Sequence, residues 1–322
     1  MKALFYMGEK QLELKDAPAP TGDFVLRVSG CTLCGTDLKT WLKGHPMFTP
    51  PCILGHEFIG TVERAPEGCG FVKGDPVVVA PYGECGECEL CARGAGELCR
   101  HKYNVSSGAF CEYVEIPTEF VSKGVIRLDN LDDAYTLVEP LSCVLTAIDK
   151  MNITSGSNVL VAGGGPMGTL FALVMAGQNI SVTVSEPSAE RRELLASLNI
   201  NSIAPEDADP SLYDNIAVAV SLPKLVEQYV KGIADNGTVH VFAGLPKDAQ
   251  LNLDPYAIHY RGVTVTGSSG FNLSTFHKAF EMIKSQPDHF RRLITHTYSI
   301  EDAEAAFETQ ASGRAFKVLI KP

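Results

Sequence analysis

The sequence predicts an α/β chain in which a doubly wound parallel-sheet domain is inserted into a β-rich domain. Three observations carry this reading. Up to about residue 135, short strand-like runs alternate with glycine and proline; from about 138, strands alternate with helices; and a glycine-rich turn at 163–168 joins a strand to a helix. A length of 322 residues suits about two domains. The expected division is 1–137 with a cysteine lobe at 83–101, an inserted 138–270, and a C-terminal return over 271–322.

In chain order, MKALFYMGEKQLEL reads as a first strand and hairpin, lacking the apolar core of a signal peptide. Phe24–Val28, Gly60–Glu63, Pro76–Ala80 and Cys111–Ile116 read as short strands between turn residues. Leu141–Lys150 reads as a helix, Asn158–Ala162 as a strand, Pro166–Ala176 as a helix and Ile180–Ser185 as a strand. Strands follow at Ile216–Val220, Thr238–Phe242 and Val263–Thr266, helices near Ser274–Lys284 and Ile300–Ala311, and a closing strand at Phe316–Ile320.

The bulk numbers exclude whole function classes. A net charge of −11 without a lysine or arginine run argues against nucleic acid or an anionic membrane as partner. No apolar run is long enough to span a bilayer. Ten cysteines without a secretion signal favour reduced thiols and a cytoplasmic location over a disulfide framework.

Cys85-x2-Cys88-x2-Cys91-x7-Cys99 places four thiols within fifteen residues, among Gly83, Gly86, Gly94 and Gly96. Four thiolates close a tetrahedral zinc site, and a site closed by protein ligands is structural. Cys31, Cys52, Cys69, Cys111 and Cys143 show no such clustering and read as small buried hydrophobes.

Val159 to Gly168 is a strand running into Gly163-x-Gly165-Pro166-Met167-Gly168 and then a helix. The first glycine makes the turn, the second admits the pyrophosphate, and the third lets helix pack on strand. The helix N-terminus then offers free N–H groups to the phosphates. Glu186, ending the next strand, is placed to accept the adenosine ribose hydroxyls, which favours NAD over NADP. Ser185, Arg191 and Arg192 are what a 2′-phosphate would need instead, and Arg191 is kept as a cofactor-binding candidate.

A second, open metal site is carried by Gly30-Cys31-Thr32-Leu33-Cys34-Gly35-Thr36-Asp37 and Leu54-Gly55-His56-Glu57-Phe58-Ile59-Gly60. Cys34 offers a thiolate and His56 an imidazole 22 residues later, with Glu57 and Glu139 as candidates for the remaining coordination. A catalytic zinc takes about three protein ligands and keeps one position open.

Together these motifs, with Glu139-Pro140-Leu141 and the final Lys317-Val318-Leu319-Ile320, resemble the zinc-dependent medium-chain dehydrogenases along essentially the whole chain. The resemblance implies a GroES-like catalytic domain with an inserted Rossmann domain, two zinc ions and NAD. It implies Cys34 and His56 as catalytic zinc ligands, Glu57 as a ligand in the polyol and threonine branches, and Glu139 beside the metal. Asp37 would orient His56, and Thr36 would pass on the substrate proton. Relatives place a histidine relay where this chain has Lys39. Trp41 and Phe48 are candidates for a pocket wall or for core, and Arg261 for a cofactor or substrate contact or a surface charge.

The expected activity is oxidation of a secondary hydroxyl of a polyol, sugar alcohol or cyclitol, in a homodimer or homotetramer. The alternative enzyme is a threonine or other amino-alcohol dehydrogenase. From a different class, a non-catalytic nucleotide-binding sensor on the same scaffold would have no need of Cys34, Thr36, Asp37, His56 and Glu57 together.

Overall fold

The computed structural model describes residues 1–105, 107–176 and 178–322. Its contacts separate 1–142 with 271–322 from 143–270. The helix Val138–Asp149 crosses the division, so the first unit runs a little past the boundary expected at 137. Pro140 falls in the first turn of that helix, where backbone N–H groups have no helical acceptor and the ring costs no bond.

The first unit is built on a seven-stranded sheet. Its order is Val125–Arg127, Pro76–Val79, Glu57–Arg64, Val25–Thr32, Lys317–Lys321 and Ile294–Ser299, with Tyr113–Glu115 also pairing with Val25–Thr32. Pairings are antiparallel except between the last two strands of that path, which are parallel. Two registers matter for the site. Thr32 lies opposite Glu57 on one side and opposite Leu319 on the other. The C-terminal return therefore enters the sheet beside the strand that delivers Cys34.

Buried Phe24, Leu26, Val28, Phe58, Val62 and Val78 fill this sheet's core. The helix Ala303–Ala311 adds Phe307, whose ring meets Trp41 and Phe110. Trp41 is thus a core residue, not a pocket wall. The expected N-terminal hairpin is present as Lys2–Gly8 and Gln11–Asp16.

The second unit holds a six-stranded parallel sheet. Its order is Ser202–Ile203, Ser181–Ser185, Asn158–Ala162, Asn215–Val218, Thr238–Val241 and Thr264–Gly267. The sequence of strands reverses at Asn158–Ala162, as in doubly wound dinucleotide folds. Leu160, Ala162, Ile216, Val218 and Val239 bury against Val226, Tyr229, Val230 and Ile233. Those last four residues recur at helical spacing, yet the helix Pro223–Gly232 that carries three of them was not anticipated. Among the described residues, no helix is long and apolar enough to cross a membrane.

Candidate active site

The strand Val25–Thr32 ends just before Cys34, and Cys34 caps the helix Gly35–Lys43. Asp37, fully buried in that helix's first turn, accepts the Cys34 N–H at 3.0 Å and the Gly55 N–H at 3.2 Å. Its carboxylate therefore ties together the two loops that present Cys34 and His56. Gly55 sits at φ +94°, and a Cβ there would lie 2.9 Å from Cys31 Sγ and 3.0 Å from the Phe110 ring. Only glycine carries the chain through this gap into His56.

His56 Nδ1 lies 3.6 Å from Asp37 Oδ1. Burial pulls the imidazole pKa down, but the charges of Cys34 and Asp37 and their hydrogen bonds outweigh it and hold it well above the usual value. The Asp37 carboxylate and the Cys34 sulfur beside one imidazole make an environment that suits a dication, which would draw the sulfur into its thiolate form. One donor atom each from Cys34, His56 and Glu57 lie within 4.8 Å of one another. Three donors of these types are the kind of set that would hold an open zinc, at ordinary donor distances of about 2.0–2.3 Å.

Glu57 opens the strand Glu57–Arg64 and is buried. Lys317 Nζ contacts its Oε1 at 2.5 Å and its Oε2 at 2.6 Å, and Thr32 Oγ1 donates to Oε2 at 2.5 Å. The third donor of Lys317 reaches the Leu33 carbonyl at 3.3 Å. Burial lowers the Lys317 pKa, but Glu57, Cys34 and Glu139 together raise it above the ordinary lysine value. Glu139 is buried in the first turn of Val138–Asp149, outside the three-donor group but close enough to act on Lys317. Thr36 is half-buried in the turn after Cys34, whereas Lys39 is exposed. Lys317 and Thr32 were not singled out as site residues. The available signal was a lysine opening the closing strand KVLIK directly before the apolar run Val318-Leu319-Ile320.

Cys85, Cys88, Cys91 and Cys99 converge in a lobe of short elements. Their sulfurs are 3.9 Å (85 to 91), 3.4 Å (88 to 91), 3.8 Å (88 to 99) and 3.5 Å (85 to 99) apart. A zinc–sulfur length of about 2.3 Å in a tetrahedron requires a sulfur separation near 3.8 Å, so the set fits a single zinc. Backbone N–H groups of Cys85 and His101 point at Cys99 Sγ, and that of Glu87 at Cys85 Sγ. The N–H of Cys91 leads in lowering the Cys88 thiol to about 6, while burial and the neighbouring thiols push Cys91 up to about 12. Such N–H donors stabilise thiolates, the form that binds metal.

In the second unit the strand Asn158–Ala162 turns through Gly163, at φ +107°, into the helix Pro166–Met175. A Cβ on Gly168 would lie 1.9 Å from the Gly163 carbonyl, whereas Gly165, capping the helix, faces open space. One glycine packs the helix onto the strand and the other leaves room for a phosphate, with Pro166 at the first helical position and Met167 after it. Glu186 Oε2 accepts the Gly164 N–H at 2.8 Å and Oε1 accepts the Ser188 N–H at 2.9 Å. The acid is thus held against the glycine turn. Arg192 Nη1 donates to the Glu186 and Pro187 carbonyls at 2.7 and 2.9 Å. Arg191 sits in the first turn of the helix Ala189–Ser197, its pKa lowered by burial against the opposing charge of Glu186. Arg261 is neither a ligand contact nor a loose surface charge. It bonds Asp235 at 2.7 Å and the carbonyls of Lys231 and Ile233.

Comparison with known proteins agrees with this geometry. The alcohol dehydrogenase GroES-like domain family matches residues 20–126, and the glucose dehydrogenase C-terminus family matches residues 132–321. D-arabinitol dehydrogenase 1 of Uromyces fabae is 28% identical, covering 100% of this chain and 97% of its own. L-threonine 3-dehydrogenase of Pyrococcus abyssi (strain GE5 / Orsay) is 30% identical, covering 94% of this chain and 92% of its own. A protein of Sinorhizobium meliloti 1021 described as a zinc-binding dehydrogenase, solved with NADP, superposes with a TM-score of 0.87 at 26% identity, covering 100% of this chain and 99% of its own. The chain belongs to the zinc-dependent medium-chain dehydrogenase family, on its polyol and threonine dehydrogenase side, and is an oxidoreductase acting on alcohols.

Proposed function

We propose that the protein oxidises a secondary hydroxyl of a polyol, sugar alcohol or cyclitol to the ketone, with NAD as acceptor. The observation that carries this reading is the group of Cys34, His56 and Glu57, three donors within 4.8 Å of one another, the number of protein ligands that a catalytic zinc takes.

When bound, zinc supplies Lewis acidity that lowers the pKa of a coordinated hydroxyl, and the nicotinamide supplies a hydride acceptor. The protein's residues do the rest. Cys34 and His56 hold the metal, and Glu57 completes the set. Asp37, fixed by two backbone N–H groups, orients His56. Thr36 takes the hydroxyl proton and passes it to water, since exposed Lys39 stands where relatives carry a histidine. A bound nicotinamide would accept the substrate hydrogen as hydride, two electrons with one proton, while Thr36 would carry away the hydroxyl proton. Glu139, which acts on Lys317, would be a further candidate to meet the metal. Gly163, Gly165 and Gly168 with the start of Pro166–Met175 hold the pyrophosphate, and Glu186 and Arg191 frame the adenosine ribose. Cys85, Cys88, Cys91 and Cys99 hold a second, structural zinc.

Glu186 supports NAD over NADP: its carboxylate would meet the ribose hydroxyls and repel a 2′-phosphate. A second reading, oxidation of threonine, is favoured by the match to threonine dehydrogenases over 94% of the chain. We further propose a homodimer or homotetramer. The strand Thr264–Gly267 forms a sheet edge, and Tyr256, Ile258 and Tyr260 nearby in sequence are exposed. Sedimentation would settle the mass.

The deciding experiment is a reduced-nicotinamide absorbance screen with NAD and NADP separately, over polyols, cyclitols, diols, simple alcohols and threonine, before and after chelation. NADH formation with one polyol or cyclitol class, abolished by the chelator, is the expected outcome. Turnover of threonine alone moves the protein to the second reading. His56→Ala should lose activity and one zinc while the lobe zinc stays, and full activity in that variant would overturn the metal assignment.

A further inference from the structure

Lys317 is the one lysine among the fully buried side chains of the described residues, at 1% exposure. A lysine ammonium has three N–H donors. Here two go to the two oxygens of Glu57, and the third goes to the carbonyl of Leu33, next to Cys34. No donor is left for a substrate, so Lys317 cannot act as a proton donor without breaking its own contacts. Its role must run through Glu57.

A carboxylate offers about four lone-pair directions. Lys317 occupies one on Oε1 and one on Oε2, and Thr32 a second on Oε2. One direction, on Oε1, remains for a metal. The same contacts draw negative charge toward the ammonium, which weakens the carboxylate as a donor to any cation on its other side. Cys34, Asp37 and Glu57 crowd the site with negative charge, and Lys317 partly offsets it before any metal binds.

We propose that Lys317 is a positioning residue that grips Glu57 by both oxygens and keeps it a weak, displaceable member of the three-donor set. This rests on the reading of Cys34, His56 and Glu57 as the open zinc site. The role of Thr32 is the same in kind and smaller, since it adds one bond.

The test uses the full-length protein, loaded with zinc alone. Zinc affinity is measured by chelator competition, with the four-cysteine lobe as internal reference. Ligand number at the open site is read from cobalt-substituted spectra. In the unaltered chain, Glu57→Gln should change zinc affinity little, because Glu57 is already a weak ligand. Lys317→Met should tighten zinc at the open site by about tenfold, the scale of outer-sphere effects on metal affinity, and raise the ligand number. In the Lys317→Met background, Glu57→Gln should then abolish that gain. Lys317→Arg, which keeps a two-oxygen grip, should restore the parent affinity. If Lys317→Met does not fold, Thr32→Val, close in shape, should shift affinity in the same direction by a smaller factor. Unchanged or weaker zinc binding in Lys317→Met and Thr32→Val overturns the proposal, as does a Glu57→Gln effect that is equal in both backgrounds. These readouts need no substrate: if no alcohol is turned over, the role of Lys317 is still decided. If no zinc binds beyond the lobe in any variant, the open-site reading itself has failed.

Discussion

Lys317 Nζ lies 2.5 and 2.6 Å from the two carboxylate oxygens of Glu57, and the two residues are separated by 260 positions in sequence. Both side chains are sealed from solvent. A buried ion pair of this kind recovers little net stability, because desolvation offsets most of the attraction. Under the proposed reading of Cys34, His56 and Glu57 as a zinc site, Glu57 next to His56 puts this pair beside the metal, where its effect on charge balance is what the variants above test.

Asp37 is the residue that fixes the geometry of the open site. Asp37→Asn keeps the shape but removes the charge facing His56. Zinc affinity at Cys34 and His56 should fall by about 10–100-fold, as for other outer-sphere carboxylates. Chelator competition followed by metal analysis should show the lobe zinc unchanged.

Cys88 tests the lobe separately. Cys88→Ser leaves three thiolates for a site that fits four sulfurs at 3.4–3.9 Å. Zinc per chain should drop by one, and the melting temperature should fall. Calorimetry with metal analysis measures both.

Glu186 should control the choice of cofactor. Glu186→Ala removes the repulsion of a 2′-phosphate together with the anchors to the Gly164 and Ser188 N–H groups. Losing charged hydrogen bonds of about 1.5–3 kcal/mol should reduce kcat/KM with NAD at least tenfold. The ratio of kcat/KM for NADP over NAD should rise, measured with the best substrate of the screen.

His240 predicts an acid-labile second unit. It is buried in the strand Thr238–Val241, with Nε2 3.0 Å from Ser268 Oγ. Burial, helped by the charge of Lys150, lowers its pKa to about 4. The unfolded chain, with an ordinary histidine near 6.5, binds more protons between those values, so stability falls as pH falls. The contribution is complete above about pH 6.5, about 2 kcal/mol of it is gone by pH 5, and the loss levels off below about pH 4. Denaturant unfolding at pH 7.5 and 5.0 should show this loss in the parent chain and a smaller one in His240→Asn.

Much of the site was legible because its parts are local. The cysteine lobe spans fifteen residues, and backbone turns alone bring its sulfurs together. The glycine turn needs only a strand before it and a helix after it, and the acid of the next strand lies 22 residues from Gly164. Cys34 and His56 were legible as donors by residue type, and Glu139 by its motif, although Glu139 lies outside the three-donor group. Trp41 and Arg261 were ambiguous by type. A buried indole packs on Phe307, and a guanidinium clamps a helix end, and neither neighbour is near in sequence.

The sequence by itself determined the α/β fold class and the family, and it supplied the candidates proposed to hold zinc and a dinucleotide, because spacing and residue type carry those within short segments. The tertiary structure alone decided which carboxylate is held by which cation. That pairing depends on the last strand returning to lie beside Val25–Thr32, with Leu319 opposite Thr32. Strand register between distant segments is set by cooperative hydrogen bonding and core packing, and no local pattern in the chain encodes it.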